Sequence, residues 1–166
     1  YDRATGYLGH AVDGEARFEC SSLDKIILVW KDGRYRMLPP PDKIFVDKDL
    51  LYAGRFDRDR IMTAVYEAGG ISYIKRFSFG GTIMNRDYSC TQPEAKLLFF
   101  ADETPPELFV RYEPAKGQRI HQQVFCPEEV LVKSAKARGN QLTVKVIDYI
   151  GTRKPRGWKD EEAVRG

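Results

Sequence analysis

The stretch Asp24-Lys-Ile-Ile-Leu-Val-Trp-Lys-Asp-Gly-Arg-Tyr-Arg36 is the most informative part of this 166-residue chain. An acidic corner at Asp24 is followed by an apolar run and a turn at Asp32-Gly33, and arginines follow the turn. Runs of β-branched and aromatic residues that are bounded by turn residues are typical of strands. The stretch therefore predicts a strand–turn–strand unit whose second strand is basic.

This order of features occurs three times along the chain. The turn glycines Gly33, Gly70 and Gly117 are 37 and 47 residues apart, a spacing typical of propeller blades and repeat arrays. One such unit cannot bury its own apolar face, so the copies must pack on one another. The pattern predicts a propeller-like β architecture. The three copies cover residues 16–38, 50–77 and 96–122.

The remaining sequence also favours strands. No window of a dozen residues shows helical periodicity without an interrupting Gly or Pro, whereas β-branched and aromatic runs are frequent. We therefore expect an all-β domain. Outside the turn-flanking strands, the predicted strands are 16–20, 50–52 and 96–100, which open the three copies, together with 130–132 and 142–147.

Size and cysteine content place the chain in a broad class. A mass of 19.0 kDa fits one domain with a core of its own. Three cysteines, without a CxxC pair, favour free thiols in a reducing cytoplasm. No apolar run reaches the roughly 18 residues that a membrane span needs, and no signal pattern opens the chain. Because the sequence begins at Tyr1 rather than Met, we expect a fragment of a longer protein.

The positive charge is concentrated in one part of the sequence. The net charge of the chain is +3, but residues 128–158 contain seven basic and three acidic side chains. A basic stripe on an otherwise near-neutral domain is typical of a phosphate-binding surface. A solvated charged face is the alternative.

Basic residues beyond the turns and in the 133–141 loop are the candidates for DNA binding. Alternate residues of a strand share a face, so Arg34 and Arg36 should point together. The 133–141 loop is basic, and Gly139 would allow close approach to a DNA backbone. Charge that protects a sheet edge from pairing is the alternative role for the strand residues. The predicted DNA-binding residues are Arg34, Arg36, Lys75, Arg76, Lys116, Arg119, Lys133, Lys136, Arg138 and Lys145.

The sequence offers little support for catalysis or metal binding. His10 and His121 are the two histidines, and neither lies near a Ser or Cys in a nucleophile motif. The period-2 placement of the aromatic residues favours blade cores over stacking on bases. These aromatics are Trp30, Tyr35, Tyr66, Tyr73, Phe77, Phe109 and Tyr112.

With these motifs in hand, the chain resembles the C-terminal β-pinwheel domain of the A subunit of bacterial type IIA DNA topoisomerases, the gyrase and topoisomerase IV family. The resemblance is carried by Asp24–Arg36, by Gly70-Ile-Ser-Tyr-Ile-Lys-Arg-Phe77 and by Lys136-Ala-Arg-Gly-Asn-Gln141. Phe79-Gly-Gly-Thr-Ile83 and Lys116-Gly-Gln-Arg-Ile-His-Gln-Gln123 are similar to topoisomerase IV of the Bacteroidetes type. The resemblance implies a pinwheel of four-stranded blades, fewer than six, over residues 1–153. Residues 154–166 are expected to form a polar tail that is disordered beyond Trp158.

The resemblance also implies a function. Such domains bind and bend DNA without sequence preference and present it to the cleavage core for ATP-dependent strand passage. No segment matches the glutamine-led, basic, double-glycine box of gyrase, which favours decatenation and relaxation. The alternatives are a gyrase A wrapping domain and, from another class, a β-propeller protein-interaction module.

The implied partners are double-stranded DNA, the remainder of the A subunit and the ATPase B subunit, with no membrane. The family's catalytic groups lie elsewhere in such enzymes, so we expect no activity and no cofactor in this fragment. ATP and Mg²⁺ are expected for the full enzyme. A cytoplasmic, nucleoid-associated location follows from the same resemblance.

Overall fold

The structure, a computed structural model, describes residues 1–160 and the backbone of residues 163–165. In these residues the regular structure consists almost entirely of strands, with a short 3-10 turn at Pro127–Glu129, which confirms the all-β prediction. None of the described residues form a helix long and apolar enough to cross a bilayer. The strands are β1 (Tyr7–Leu8), β2 (Ile26–Trp30), β3 (Arg34–Leu38), β4 (Ile44–Phe45), β5 (Leu50–Arg55), β6 (Met62–Ala68), β7 (Ile71–Ser78), β8 (Asp87–Ser89), β9 (Lys96–Ala101), β10 (Leu108–Tyr112), β11 (Gln122–Phe125), β12 (Val132–Ser134), β13 (Asn140–Thr143), β14 (Ile147–Gly151) and β15 (Ala163–Arg165).

Three sheets repeat one plan, and a two-stranded ribbon of β1 and β4 adds a fourth piece. Each sheet has an antiparallel hairpin at its centre: β2–β3 in sheet 1, β6–β7 in sheet 2 and β10–β11 in sheet 3. A flanking strand pairs with the first hairpin strand, and a later strand pairs with the second. The orders are β5-β2-β3-β8 in sheet 1, β9-β6-β7 followed by β12 and β13 in sheet 2, and β14-β10-β11-β15 in sheet 3.

Strand membership differs from the repeat boundaries that the sequence predicts. The strand that opens the second copy, β5, pairs with β2 of the first hairpin, and β9 likewise pairs with β6. Each of these strands therefore belongs to the preceding sheet. A hairpin leaves the free edge of its first strand unpaired, and the extended segment that follows the hairpin in sequence pairs with that edge. Residues 16–20, predicted as a strand, form none.

The hairpin turns match the predicted glycines in sheets 1 and 2. Gly69 and Gly70 have φ of +61° and +81° between β6 and β7, and a type I′ turn requires positive φ at both positions. Gly33 has φ of +89°. In sheet 3 the link is longer, and β11 starts at Gln122 rather than directly after Gly117.

Two further predicted strands have different bounds. The predicted strand at 142–147 divides into β13, which ends at Thr143, and β14, which begins at Ile147. β13 pairs with β7 of sheet 2 whereas β14 pairs with β10 of sheet 3, so the chain passes from one sheet to the next between them. The strand predicted at 130–132 lies later, as β12.

The sheets stack face to face, and a core lies between each neighbouring pair. Sheet 1 packs on sheet 2 through residues such as Tyr35 and Phe77. Sheet 2 packs on sheet 3 through residues such as Val65 and Val110. The opposite face of sheet 1, which includes Leu28, is covered by the β1–β4 ribbon and neighbouring residues. Each unit thus buries its apolar faces against its neighbours, as the repeat pattern predicts.

The aromatic residues predicted to fill the cores are buried. Trp30, Tyr66 and Tyr112 occupy equivalent positions, because the pairing of each with its flanking strand shifts register just before it. Each polar atom has a partner, as buried Trp and Tyr require. Trp30 Nε1 donates to the carbonyl of Val46 at 2.6 Å, Tyr66 Oη accepts from the Gly139 amide at 2.9 Å, and Tyr112 Oη donates to the side chain of Gln123.

Part of the predicted C-terminal tail lies against sheet 3. Trp158 packs edge-to-face on Phe109 with 5.4 Å between ring centroids, and β15 pairs in parallel with β11. Residues 161, 162 and 166, on which the prediction of disorder also falls, lie outside the described residues. The predicted boundary between residues 153 and 154 stays a prediction.

The stacking gives each sheet two distinct edges. Tyr52 of β5 packs on Phe100 of β9 at 5.0 Å between centroids, so the flanking strands of sheets 1 and 2 approach each other. The strands at the opposite edges are β8 in sheet 1, β12 with β13 in sheet 2, and β15 in sheet 3. We call these the outer edges.

Candidate nucleic-acid interface

Two arginines of β3 lie next to the outer edge of sheet 1. Arg34 and Arg36 share a face, as alternation along the strand predicts. Their guanidinium carbons lie 4.3 Å and 5.5 Å from the centroid of Trp30, within the range of cation–π attraction. Stacking on a buried indole holds both side chains in place beside β8.

Arg36 also forms an ion pair with Asp87 of β8. Its Nε and Nη2 donate to the two carboxylate oxygens at 2.5 Å and 3.1 Å. This bidentate contact lowers the pKa of Asp87 below its usual range. The carboxylate of Asp87 thus neutralises Arg36, one of the residues predicted from the sequence to bind DNA.

Lys75 cannot contact a ligand at the surface, which corrects its assignment to the DNA-binding set. Its exposed fraction is 0 %, and its Nζ donates to the carbonyls of Cys90 at 2.7 Å and Ala135 at 2.5 Å. Burial lowers its pKa to about 8. The ammonium instead links the segment after β8 in sheet 1 to the loop that covers β7 in sheet 2.

Arg76 is occupied by contacts within the protein. Its Nε donates to Thr104 Oγ1 at 3.2 Å, and its Nη1 donates to the carbonyls of Glu128 at 3.3 Å and Val130 at 2.8 Å. These bonds hold the 3-10 turn before β12 against β7. The alternation of side chains along β7 does not show whether Arg76 binds the protein's own carbonyl groups or faces solvent.

The basic loop between β12 and β13 is closed by its own lysine. Lys133 Nζ donates to the carbonyl of Arg138 at 3.0 Å and to Asn140 Oδ1 at 2.5 Å. Lys136 and Arg138 remain exposed. Arg138 Nη2 donates to Tyr73 Oη at 2.7 Å, and its guanidinium carbon lies 5.1 Å from the centroid of that ring. The loop therefore presents two cations on a fixed backbone.

The structure brings the loop of sheet 2 over the outer edge of sheet 1. Lys136 Nζ lies 5.7 Å from the ring centroid of Tyr88, which is in β8. Tyr88 stacks on Tyr35 at 5.3 Å between centroids. Lys136 thus lies over the strand whose Asp87 holds Arg36. Because Asp87 and Tyr88 alternate along β8, Lys136 and Arg36 lie beside the same strand but on opposite faces of sheet 1.

Sequence reasoning missed one cation at this edge. Arg86 is exposed, directly precedes β8, and has no hydrogen bond or ion pair within the described residues. The three residues of β8 show no alternation of apolar and polar side chains, so the sequence does not predict a strand there or a sheet edge beside Arg86.

The predicted cations of sheet 3 are not connected to this group. Lys116 and Arg119 lie exposed in the loop between β10 and β11. Lys145 Nζ lies 5.6 Å from the ring centroid of Tyr112. Among the residues that the structure describes, no hydrogen bond, ion pair or ring contact joins these three to Arg36, Lys136 or Arg138.

The described part of the chain contains no cluster of three His, Cys, Asp or Glu residues that could hold a metal ion. His10 lies 3.2 Å from Asp42 at an exposed position. The exposed cations at the outer edges of sheets 1 and 2 carry guanidinium and ammonium groups, which bind anions.

Comparison with known proteins agrees with this architecture. A family model described as the topoisomerase C-terminal domain of Bacteroidota matches residues 1–154. A crystal structure of the C-terminal domain of DNA topoisomerase IV is similar, with a TM-score of 0.55 and 14% sequence identity, over 75% of this chain and 44% of that one. This chain therefore spans less than half the length of that structure. The likeness shows the fold, a β-pinwheel, and confirms the predicted fold class. A search of curated proteins finds no match.

Proposed function

The chain belongs to the topoisomerase C-terminal domain family of Bacteroidota, and from this membership we propose that it binds double-stranded DNA without sequence preference and bends it. The DNA lies along the outer edges of the sheets. Cations there contact phosphates, which are the same for every sequence, so no base is read.

The observation that carries the proposal is the position of Lys136 over β8. We propose that Lys136 and Arg138 of sheet 2 and Arg36 and Arg86 of sheet 1, which flank β8, contact the same DNA segment. Rings hold three of these side chains in defined positions. Less side-chain freedom is then lost when they bind phosphates.

Bending follows from the repeated plan of the sheets. A DNA segment that contacts the outer edge of one sheet meets further cations only if it follows the edges around the stack. Bending a short site costs about 1–6 kcal/mol by elastic estimates. Contacts with the cations of successive sheets offset this cost.

In the whole protein, we propose, the domain presents DNA to the cleavage core of a topoisomerase A subunit. An ATPase B subunit, ATP and Mg²⁺ supply strand passage, which decatenates and relaxes DNA as in topoisomerase IV. Catalysis lies outside this segment. The enzyme acts on the nucleoid in the cytoplasm.

The test is a salt titration of binding to random duplexes of about 30 base pairs, linear and pre-bent. We expect log K to fall linearly with log salt, with a slope of about −0.9 for each phosphate neutralised, and tighter binding to the bent duplex. Equal affinity for unrelated sequences is also expected. No binding at low salt would refute the proposal and favour the β-propeller protein-interaction module.

A further inference from the structure

A second basic site lies away from the outer edges, beside the flanking strand of sheet 1. It is a cleft of about 290 Å³ between the segment before β2, strand β5 and the end of β9. Three arginines line it, together with one carboxylate and one phenol. The lining residues that carry the argument are Arg17, Arg55, Arg60, Asp102 and Tyr52.

The carboxylate in the cleft is already used. Asp102 Oδ2 accepts a hydrogen bond from Tyr52 Oη at 3.0 Å and another from Arg60 Nη1 at 3.3 Å. Burial and the nearby carboxylate raise the pKa of Tyr52 well above its usual range, so the phenol keeps its proton and stays a donor. Asp102 thus balances Arg60, and the other two arginines have no carboxylate among the residues that line the cleft.

Arg17 has unsatisfied donors in a sheltered position. Its Nε and Nη2 are shielded from solvent and make no hydrogen bond. Nη2 lies 3.5 Å from Glu15 Oε2, an ion-pair distance, and the guanidinium carbon lies 5.1 Å from the ring centroid of Tyr1. Buried polar groups are nearly always hydrogen-bonded, and the ion pair with Glu15 leaves both donors without a hydrogen bond. Arg17 lines both this cleft and a neighbouring cavity, which Tyr1 and Glu15 also line, and a ligand oxygen beside its guanidinium would satisfy these donors.

Arg55 supplies a second available cation. It is exposed at the end of β5, and its side chain makes no hydrogen bond or ion pair within the residues that the structure describes. The cleft thus combines one sheltered and one exposed guanidinium, and a third that is held by Asp102. The local charge is positive, and it lies on the side of the sheets where β5 approaches β9, opposite the outer edges.

We propose that this cleft binds a phosphate group. Guanidinium forks match the paired oxygens of phosphate, and several of them can share its charge. A water molecule occupies about 30 Å³ in the liquid, so the cleft holds a phosphate together with several waters. The phosphate comes either from a DNA backbone or from a free phosphate ion. The site does not depend on the proposed function, because neither Arg17 nor Arg55 belongs to the outer-edge set.

The first arm of the test uses inorganic phosphate at constant ionic strength, with chloride and acetate as competing anions. We expect a saturable shift of the Arg17 Nε–Hε resonance that acetate does not reproduce. The double variant Arg17→Gln with Arg55→Gln should bind phosphate at least tenfold more weakly. Arg58→Gln is the matched control, since Arg58 is exposed but does not line the cleft. The single variant Arg55→Gln, at an exposed position, tests the site if the double variant unfolds.

The second arm identifies the source of the phosphate. If a DNA backbone supplies it, a random duplex displaces inorganic phosphate, and the double variant lowers the salt slope of duplex binding by about two. If the natural ligand is the free phosphate ion, the duplex does not displace it, and the double variant does not change the salt slope of duplex binding. Either result supports the site. Absence of a saturable shift, or equal loss in Arg58→Gln, overturns it, and duplex binding at the outer edges could then still be observed.

Discussion

The Nζ atom of Lys75 lies 2.7 Å from the carbonyl oxygen of Cys90, and neither residue is exposed by more than 1 %. Cys90 follows the outer strand of sheet 1, whereas Lys75 lies in the second hairpin strand of sheet 2. A buried ammonium therefore joins two neighbouring sheets. The neutral thiol of Cys90 donates in turn to the carbonyl of Gly33 at 3.2 Å, which extends the contact to the first hairpin turn.

This contact predicts a pH dependence of stability. Burial lowers the pKa of Lys75 from 10.5 to about 8, so above pH 8 the folded protein releases a proton that the unfolded chain keeps. The free energy of unfolding should therefore rise by about 1 kcal/mol between pH 8 and 9. Burial raises the pKa of Cys90 from 9.0 to about 11, which opposes the rise from about pH 8 upward, because the unfolded thiol loses its proton first. Urea unfolding at half-unit steps of pH measures it.

The control for this dependence replaces single lysines. Lys75→Met should remove the rise between pH 8 and 9, whereas Lys25→Met, at an exposed position, should keep it. An unchanged rise in Lys75→Met would show that another group causes it.

Neutralising the basic loop should weaken DNA binding for all sequences alike. The double variant Lys136→Gln with Arg138→Gln removes two proposed phosphate contacts, so the log–log salt slope should fall by about two. Fluorescence anisotropy with several unrelated duplexes measures both affinity and slope. Lys48→Gln, an exposed lysine before β5, should leave the slope unchanged. A loss restricted to some sequences would contradict a phosphate-only interface.

Removing the carboxylate at the outer edge should strengthen DNA binding. Asp87→Asn breaks the bidentate ion pair and leaves Arg36 available to a phosphate. We expect a several-fold gain in affinity at low salt and a salt slope steeper by about one. The double variant Asp87→Asn with Arg36→Gln should lose this gain. If Asp87→Asn alone binds no better than the unmodified protein, Arg36 does not face the DNA.

The first hairpin turn should not tolerate a side chain. Gly33 has φ of +89°, and a Cβ there would lie 2.1 Å from Thr91 Oγ1. Gly33→Ala should lower the free energy of unfolding by about 2–4 kcal/mol, from the left-handed backbone and the clash together. Gly117, with φ of +75° and no atom within 4 Å, provides the comparison, and Gly117→Ala should cost about 1 kcal/mol. Equal losses in urea unfolding would show that the contact with Thr91 relaxes freely.

The C-terminal segment should stabilise sheet 3. Trp158→Ala removes the edge-to-face contact with Phe109, and we expect a loss of about 1–2 kcal/mol from the ring contact and the exposed apolar area. Hydrogen exchange of the β10 and β11 amides should accelerate. Trp158→Phe, which keeps an aromatic ring, should lose less. Unchanged exchange in Trp158→Ala would mean that the segment does not cover the sheet in solution.

Much of the fold could be predicted, because hairpins depend on local chemistry. The turn glycines at 33 and 70, and the period-2 aromatics, identify the central hairpins and the core-facing residues. The site was less predictable. Lys75 and Arg36 occupy equivalent positions in their sheets, opposite Ala64 and Leu28, yet one is buried and the other partly exposed. Alternation specifies which face a side chain lies on, but not what covers that face.

The amino-acid order thus specifies the all-β class, the repeated hairpin and the face of each strand, because these depend on neighbours along the chain. The partners of the flanking strands, the position of Lys136 over Tyr88 and the burial of Lys75 depend on segments far apart in sequence. They follow from how the sheets stack, since each sheet edge pairs with whichever extended segment the packing brings to it. The same stacking gathers Arg17 and Arg55 into one cleft, which no spacing in the sequence marks.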